Sequence, residues 1–289
     1  MERDARLLVD LLRDRHPVVH ELGQHYLVDT SVLNAAIELA GDISGQHILE
    51  IGCGPGSLTH HLLRAGARVS AIEIDEGSLE HMQRHFEEEI QSEQLTLLSG
   101  DALTVKWPTK IDAIVANIPY QISSPLLERM QREVRTCPAV LLVQDEFADR
   151  MAMSIPPLDR GPLGLSLWLD YDIEMARRVP ASCFSPQPRV TSRLIRMEPL
   201  NRLDSLGSEV DRRMFRQIVS QCFGDRRRKL RNLLKRIPRR LSRIPGWHRD
   251  RWRGAIQSIQ NHPLMDERPD MLEPEDWLRL CTQISSFEE

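Results

Sequence analysis

Short apolar runs alternate with stretches of helical spacing over the first two thirds of the chain. The apolar runs are rich in Ile, Val and Leu and cover residues 47–51, 68–74, 95–98, 111–116 and 139–144. Helical spacing covers the residues between them, at 57–65, 77–91 and 124–135. This alternation predicts a parallel sheet with helices on both faces, and uninterrupted apolar strands fit burial on both sides. We expect two further strands, at 164–171 and 189–197, to close the sheet.

The pattern changes near residue 200. Apolar residues at helical spacing cover 211–223, 248–260 and 274–285. Asp225 is suited to cap a further helix, with which Pro238 would interfere. The predicted organisation therefore has three parts, an N-terminal extension (1–22), an α/β domain (23–199) and a small helical domain (200–289).

Composition excludes several classes of protein. Of the 289 residues, 41% are hydrophobic and 28% are charged, which is ordinary for a globular protein. The chain has no run of about 18 apolar residues, and its charged N-terminus has no apolar signal core, so we expect neither a membrane span nor secretion. The five cysteines are scattered and never form a CxxC pair, which favours reduced thiols in a cytoplasm and argues against structural zinc.

Charge is distributed unevenly, although the net charge is only −4. Residues 73–93 contain eight acidic residues and one arginine, whereas residues 226–243 contain ten basic residues and no acidic one. Such asymmetry indicates a surface for a polyanion. A solvated basic helix face would give the same run, so charge alone leaves nucleic-acid binding and solvation equally supported.

A glycine-rich loop follows the first strand of the predicted sheet. Residues 50–58 read EIGCGPGSL, and such glycines let the backbone turn sharply and approach a ligand closely. A tight turn alone would also explain the loop. The next strand, however, carries Glu73 about 20 residues further on, where an acid accepts hydrogen bonds from ribose hydroxyls. The loop and the acid together predict a cofactor that contains adenosine.

Four successive strands are followed by residues suited to ligand binding, namely Gly52, Glu73, Asp101 and Asn117. In an open parallel sheet these strand ends line one crevice. Dinucleotide loops usually read GxGxxG, whereas this loop reads GxGxG with Pro55 inside it. The arrangement resembles the methyltransferases that use S-adenosylmethionine. In that class the acid after the third strand meets the adenine amine, a role that the resemblance gives to Asp101.

The segment ANIPYQISSP (116–125) makes the resemblance specific. The chain resembles the KsgA/Dim family of ribosomal RNA adenine dimethyltransferases, in the family's order, from about residue 20 to residue 280. The matching segments are LGQHYLVD (22–29), EIGCGPGSLT (50–59), AIEID (71–75), GDAL (100–103), NIPYQISSP (117–125), VQDEFADR (143–150), FSPQPRVTS (184–192), FGDRRRKLRN (223–232), and RP followed by EDWL (268–278). The form QISSP favours the archaeal and eukaryotic branch.

Several positions depart from the family pattern. Position 145 is Asp where the family often has Lys or Arg, and Tyr26 stands where Phe is commoner. Residues 153–160 lack the usual glycine-containing segment, and the residues before Gln24 lack the usual lysines. These departures concern substrate contacts and leave the expected chemistry unchanged.

The resemblance implies a fold, a cofactor and a set of site residues. It implies a Rossmann-like α/β sheet with a small C-terminal all-helical, RNA-binding domain, S-adenosylmethionine as cofactor, and no metal. The implied cofactor-binding residues are His25, Leu27, Gly52, Gly54, Glu73, Asp101, Ala102 and Asn117. The implied catalytic residues are Asn117, Ile118, Pro119, Tyr120 and Phe184. The implied RNA-binding residues, on a basic C-terminal helix, are Arg226, Arg227, Arg228, Lys229 and Arg231.

The exocyclic amine of adenine is a poor nucleophile, because its lone pair is delocalised into the ring. The side-chain oxygen of Asn117 and the carbonyl of Ile118 would accept its hydrogens, and Pro119 restricts Ile118 to extended geometry. The resemblance implies that a base splayed out of its helix stacks between Tyr120 and Phe184. Taken singly, a turn role for the asparagine and core packing for the two rings would be the better explanation.

Two other features have ordinary explanations. His81 and His85 have the i, i+4 spacing of metal ligands, but the neighbouring glutamates favour a solvated helix face. Trp247 and Trp252 alternate with arginines, and packing of the helical domain explains them better than RNA stacking does.

The predicted activity is dimethylation of two adjacent adenines in the 3′-terminal hairpin of small-subunit ribosomal RNA. The resemblance implies an assembling small subunit as partner, and we expect a cytoplasmic monomer without membrane contact. Two alternatives stay open, a non-catalytic ribosome-assembly or transcription factor with this fold and a large-subunit RNA adenine methyltransferase. The intact Gly52, Glu73, Asp101, Asn117 and Tyr120 argue against the first, and the RRRKLRN and EDWL segments argue against the second.

Overall fold

A computed structural model describes residues 4–16, 23–205 and 210–288. The strands are β1 (Tyr26–Leu27), β2 (His47–Ile51), β3 (Arg68–Glu73), β4 (Leu95–Ser99), β5 (Ala113–Asn117), β6 (Ala139–Gln144), β7 (Tyr171–Val179), β8 (Phe184–Ser185) and β9 (Ser192–Pro199). The helices are α1 (Ala5–Arg13), α2 (Thr30–Ala40), α3 (Ser57–Arg64), α4 (Glu76–His85), α5 (Glu87–Gln91), α6 (Ser123–Glu133), α7 (Asp145–Ala152), α8 (Pro162–Asp170), α9 (Arg202–Ser205), α10 (Arg212–Phe223), α11 (Leu230–Leu233), α12 (Arg249–Ser258) and α13 (Pro274–Ser285). Within these described ranges, no helix is long and apolar enough to cross a membrane.

One large sheet organises the first of two compact units, which comprises Met1–Ala148 and Asp172–Pro199. In the described residues its strand order is β4-β3-β2-β5-β6-β9-β7. Strands β2 to β6 pair in parallel, and β9 joins β6 antiparallel. The chain runs outward from β2 to β4 and then places β5 on the other side of β2, so the strand order reverses between β2 and β5. The predicted α/β sheet is confirmed, and open sheets of this kind bind ligands at such a reversal.

Burial on both faces explains the uninterrupted apolar strands. Ile48, Leu49, Ile114 and Leu141 are fully buried. Helix α2 packs on β5 and β6, whereas α3 and α4 pack on β3. The five strands predicted up to residue 144 agree with the observed bounds to within two residues.

Helix α4 begins and ends for identifiable reasons. The Asp75 side chain accepts a hydrogen bond from the backbone N–H of Ser78 at 2.8 Å and caps the first turn. The predicted helix over 77–91 is divided into α4 and α5 at Phe86, whose backbone leaves the helical region (φ −123°, ψ 30°) while its ring is fully buried. The solvated face predicted for His81 is wrong. Because α1 packs against α4, His81 is 2% exposed, and burial lowers its pKa to about 4.

The strand predicted over 164–171 is a helix, α8, which is followed directly by β7. Leucines at every second position gave the strand-like pattern. Pro162 instead occupies the first turn of a helix, a position that tolerates its missing N–H. Leu165 and Leu169 are four residues apart, and both pack in the core of the second unit. Alternation failed as a signal because this helix is buried nearly all round.

The second compact unit comprises Asp149–Tyr171 and Leu200–Glu289. Its core contains Phe215, Trp252 and Trp277, and the indole N–H of Trp252 donates to the Leu234 carbonyl at 3.0 Å. The packing role predicted for Trp252 is therefore confirmed. Residues 149–171, which the predicted catalytic range 23–199 included, cluster with the C-terminal helices.

Candidate active site

A cavity lies at the carboxyl ends of β2, β3, β4 and β5, where the strand order reverses. It is lined by residues from five segments, namely 23–26, 51–54, 72–74, 100–102 and 117–122. These segments bring together His25, Gly52, Gly54, Glu73, Asp101, Ala102 and Asn117 from the predicted cofactor site, and Ile118, Pro119 and Tyr120 from the predicted catalytic residues. The sheet thus assembles the four strand ends that the sequence marked.

Leu27 and Phe184 are not among the lining residues. They are backbone partners in the antiparallel β1–β8 pair, and their side chains are 5% and 2% exposed within the core. The predicted stacking of the target base between Tyr120 and Phe184 stays a prediction, and Phe184 is buried in this structure. The ring that stacks beside Tyr120 is that of His25, with 5.9 Å between the ring centroids and 28° between the planes.

The glycine loop is closely packed against two neighbouring side chains. Gly54 has a φ of +51°, and a Cβ there would lie 2.8 Å from the Tyr26 ring. Gly52 has a φ of +74°, and a Cβ there would lie 3.3 Å from Pro119. Only glycine accepts these backbone angles without strain. The loop is therefore held in one conformation beneath the cavity.

Glu73 holds the same loop from the neighbouring strand. One carboxylate oxygen accepts from the backbone N–H of Gly54 at 2.8 Å. The other accepts from the N–H groups of Ile74 and Asp75, at 2.8 Å and 2.9 Å. Burial raises the pKa of Glu73, and these three donors act in the opposite direction. The donors stabilise the ionised form, and the remaining acceptor position of the carboxyl group can accept from a ribose hydroxyl.

A second carboxylate, Glu50, lies in β2 just before the loop. It is 1% exposed, and it accepts a hydrogen bond from the Thr59 hydroxyl at 2.5 Å. Burial raises the pKa of Glu50 to about 8. Sequence reasoning assigned no role to this acid. The available signal was a glutamate inside the otherwise apolar strand HILEI.

The lining residues fit the adenosine part of S-adenosylmethionine. A carboxylate has about four acceptor positions, and the backbone occupies three on Glu73. Asp101 accepts from the Leu103 N–H through one oxygen, at 2.8 Å, which leaves the other for an adenine amine. Ile74 is 51% exposed beside Glu73 and provides an apolar surface for a base.

Asn117 is oriented by its own hydrogen bond. Its amide nitrogen donates to the His25 carbonyl at 3.1 Å. This contact assigns the nitrogen and the oxygen of the side-chain amide. Among the described residues, no donor contacts the side-chain oxygen of Asn117. The site therefore presents an acceptor at the end of β5, next to the Ile118 carbonyl.

Tyr120 is anchored at its hydroxyl. The phenol oxygen lies 2.6 Å from the Ser192 hydroxyl, and burial raises the pKa of Tyr120, which keeps the phenol protonated. His25, the neighbouring ring, places Nδ1 2.9 Å from the Pro186 carbonyl. Sequence reasoning assigned no role to Ser192 or Pro186, although both belong to the FSPQPRVTS segment.

Comparison with known proteins identifies the family. The family model described as ribosomal RNA adenine dimethylase matches residues 16–243. The chain belongs to this family. A probable ribosomal RNA small subunit methyltransferase A from Haloarcula marismortui is 36% identical over 261 residues, which cover 90% of this chain and 87% of that protein. The ribosomal RNA small subunit methyltransferase A of Gloeobacter violaceus is 35% identical, with 91% of this chain and 92% of that protein covered.

Structural comparison agrees with this assignment. The crystal structure of a dimethyladenosine transferase from Plasmodium falciparum matches with a TM-score of 0.73 and 26% identity, and covers 88% of this chain and 95% of that chain. Family membership confirms the predicted enzyme class, an rRNA adenine dimethyltransferase, and S-adenosylmethionine as its cofactor. The archaeal relative and the eukaryotic structure agree with the branch that QISSP favoured.

The basic segment of this dimethylase, residues 226–243, differs from the predicted helix. Residues 226–228 lie in a turn and a bend, residue 229 has no regular structure, and helix α11 begins only at Leu230. Gln221 in α10 donates to the carbonyls of Leu233 and Arg236, at 3.1 Å and 2.8 Å. The predicted continuous helix is therefore wrong, because buried leucines and side-chain amides of α10 fix a less regular backbone.

The predicted RNA-binding side chains are all exposed, but acids contact three of them. Arg226, Arg227, Arg228, Lys229 and Arg231 face solvent. Asp266 pairs with Arg231 and, at 3.0 Å, with Lys229, and Asp225 lies 3.7 Å from Arg228. The cationic surface is thus partly neutralised within the protein.

Proposed function

We propose that this enzyme dimethylates two adjacent adenines in the 3′-terminal hairpin of small-subunit ribosomal RNA, within an assembling subunit. The observation that carries the proposal is the free acceptor of Asn117 in the cavity that Glu73 and Asp101 also line. The named relatives that act on the small-subunit RNA support the choice of subunit. The protein would act as a cytoplasmic monomer.

Asn117 and Ile118 would hold the adenine amine. Two acceptors around an NH2 group take up its hydrogens and favour a pyramidal nitrogen with an available lone pair. The Ile118 N–H donates to the Leu142 carbonyl at 3.2 Å, which anchors this peptide to β6. The amine would therefore meet a preformed site, and alignment of this kind provides much of the acceleration in group transfer.

Tyr120 would carry the target base on the exposed part of its ring. Stacking on an aromatic ring is worth roughly 1–3 kcal/mol per base, which helps to offset the cost of removing the base from its helix. S-adenosylmethionine supplies a methyl group already activated on a positive sulfur. No side chain is assigned as a general base, because the methylated amine loses its proton readily to water.

The cofactor would be bound by residues of the four strand ends. Glu73 would accept from the ribose, Asp101 from the adenine amine, and the loop at Gly52 and Gly54 would allow close approach of the backbone. His25 and Ala102 would contribute to the same wall of the cavity. We propose no direct cofactor contact for Leu27, whose side chain packs in the core.

The exposed arginines and lysine of residues 226–231 would bind RNA phosphates. Backbone phosphate contacts position RNA without reading its sequence, and they make binding depend on salt. The choice of adenines would then depend on the slot beside Tyr120 and on which hairpin this cationic surface can engage.

The decisive experiment replaces Asn117 by alanine. Methyl transfer to small subunits from a strain that lacks the modification should fall by roughly a hundredfold or more, while RNA binding stays close to wild type. The matched control is Asn34→Ala, an exposed asparagine on α2, which should retain full transfer. Near wild-type turnover by Asn117→Ala would overturn the proposed mechanism.

Primer extension on the methylated RNA separates the alternatives. Stops at two adjacent adenines in the 3′-terminal hairpin support the proposal. Modification of large-subunit RNA alone would support the other methyltransferase activity. A protein without measurable cofactor binding would be a non-catalytic factor.

A further inference from the structure

The segment FSPQPRVTS (184–192) anchors two aromatic rings of the cavity from outside it. The Pro186 carbonyl contacts the His25 ring, and the Ser192 hydroxyl contacts the Tyr120 hydroxyl. Phe184, at the start of the segment, points into the core instead of the cavity. The segment therefore contributes to the site through hydrogen bonds to the cavity wall, and Ser192 makes the shorter of the two.

We propose that Ser192 is the positioning residue that fixes where the Tyr120 ring lies for the target adenine. This inference rests on the proposed function, in which Tyr120 carries the base. The two hydroxyl oxygens are 2.6 Å apart, and Ser192 is fully buried. A hydrogen bond at the far end of a tyrosine restrains rotation about the Cα–Cβ bond, because that rotation would carry the phenol oxygen away from its partner. Loss of the serine hydroxyl would leave a partly buried phenol without this partner, which is costly.

Ser192 is itself held in a rigid frame. It is the first residue of β9 and pairs with Gln144 of β6. On one side, the Thr191 carbonyl accepts from the Asp145 N–H at 3.0 Å. On the other side, Arg193 donates to the Asp145 carboxylate at 2.6 Å. The backbone around Ser192 is therefore held in place, and the serine hydroxyl can hold the Tyr120 ring in a defined position.

The Asp145 carboxylate binds two arginines within the same sheet. Its second oxygen lies 2.9 Å from the Nε of Arg178, and its side chain and that of Arg193 are only 15% and 14% exposed. Position 145 is an aspartate where the family often has Lys or Arg. In this protein Arg193 supplies the positive charge that pairs with it. The ion pair fixes the backbone on both sides of Ser192 through contacts that do not reach the cavity.

Two single variants and their combination test the hydrogen bond. Ser192→Ala should lower kcat for methyl transfer by about tenfold, the size expected for one buried hydrogen bond, with the cofactor Kd unchanged. Tyr120→Phe removes the same bond from the other side and keeps the ring, so it should cause a similar loss. Because both variants remove one interaction, the double variant should be no slower than the slower single variant.

Ser185→Ala is the matched control. It removes a hydroxyl from the same segment, but that hydroxyl bonds to Arg13 and not to a lining residue, so transfer should be unchanged. Thermal melting of each variant shows whether it is folded, and Tyr120→Phe decides the outcome if Ser192→Ala does not fold.

The outcomes separate this inference from the proposed function. Wild-type enzyme without transfer to ribosomal RNA would overturn the proposed function and the role of Ser192 with it. Active wild type, with Ser192→Ala within twofold of it or with losses that multiply in the double variant, would overturn the positioning role alone. A loss confined to the cofactor Kd, with kcat unchanged, would also overturn it.

Discussion

The strand ends of the first unit and the basic segment of the second unit use hydrogen bonds in opposite ways. At the strand ends the functional side chains are themselves bonded, as Glu73 is to three backbone N–H groups and Asn117 is to the His25 carbonyl. Along the basic segment it is the backbone that α10 holds, through Gln217 and Gln221, and the cationic side chains are exposed, with some of them paired to exposed acids. Fixed side chains suit alignment of reacting atoms, whereas exposed ones suit a polyanion of variable shape.

The two regions also differ in the sign of their charge. The cavity carries the acids Glu73 and Asp101, which complement a cationic cofactor and would repel phosphate. The basic segment carries ten cations and no acid of its own. Separation of the two signs allows a cofactor and an RNA to be attracted to different surfaces.

The largest expected effect comes from removing the charge that holds the glycine loop. Glu73→Gln replaces one acceptor oxygen by an NH2 group that faces backbone donors, so we expect the cofactor Kd to rise by roughly tenfold to a hundredfold. Calorimetric titration with S-adenosylmethionine measures this change. The control Glu88→Gln alters an exposed acid on α5 and should not change the Kd. An unchanged Kd for Glu73→Gln would mean that the loop needs no support from β3.

The next effect concerns the buried acid Glu50 and the way in which it makes the stability of the protein depend on pH. Burial raises the pKa of Glu50 from 4.5 to about 8 in the folded protein. Between these values the native state keeps a proton that the unfolded state loses, so the free energy of unfolding falls as pH rises, by at most about 1.4 kcal/mol per pH unit. Denaturant unfolding at pH 5 to 8 measures the slope.

Glu50→Gln removes this titration and still offers an oxygen to the Thr59 hydroxyl. The variant should lose the Glu50 part of the slope and should gain stability relative to wild type toward pH 8. Identical slopes for variant and wild type would show that Glu50 is ionised in the folded state.

A smaller effect tests which cations of the basic segment bind phosphate. Arg226 and Arg227 are exposed, and within the described residues no acid pairs with either. Replacing both by glutamine should weaken binding to the RNA hairpin by roughly tenfold at moderate salt and lower the salt slope by about 1.5. The control removes the same charge from the first unit, at Arg68 and Arg84, both exposed. An unchanged salt slope would mean that RNA binds to a surface that does not include Arg226 and Arg227.

The smallest expected effect is a gain in RNA binding instead of a loss. Asp266 pairs with Lys229 and Arg231, so Asp266→Asn should free two cations and strengthen RNA binding by a few fold, with a steeper salt slope. Exposed pairs of this kind are worth little, which is why the expected gain is small. Glu288→Gln, an exposed acid of the same unit, is the charge-matched control. Weaker RNA binding by Asp266→Asn would mean that Asp266 holds Lys229 and Arg231 in the positions from which they bind phosphate.

Sequence patterns predicted the sheet well, because strand and helix periodicities are local properties. The strands at 47–51 and 139–144 have the predicted bounds, and helix α13 covers the predicted range 274–285. The same patterns failed at 164–171, where alternating leucines lie in a buried helix, and at 226–229, where a basic run is not helical. In both places packing within the second unit determines the backbone conformation. The spacing of apolar residues along the chain does not reveal that packing.

The sequence by itself determined the chemistry at the strand ends. Glycines, acids and an Asn-Ile-Pro-Tyr turn at successive strand ends must converge, since the carboxyl ends of parallel strands share one edge. The family resemblance rests on the same residues, and the comparisons confirm it.

Only the tertiary structure decided which partners fix those residues. Residues far apart in the chain supply them, as Ser192 does for Tyr120 and His25 does for Asn117. It also directed Phe184 into the core and paired Asp266 with two of the predicted RNA-binding cations. The reason is physical: hydrogen-bond and ion-pair partners depend on distances between segments, which a linear pattern of residue types does not contain.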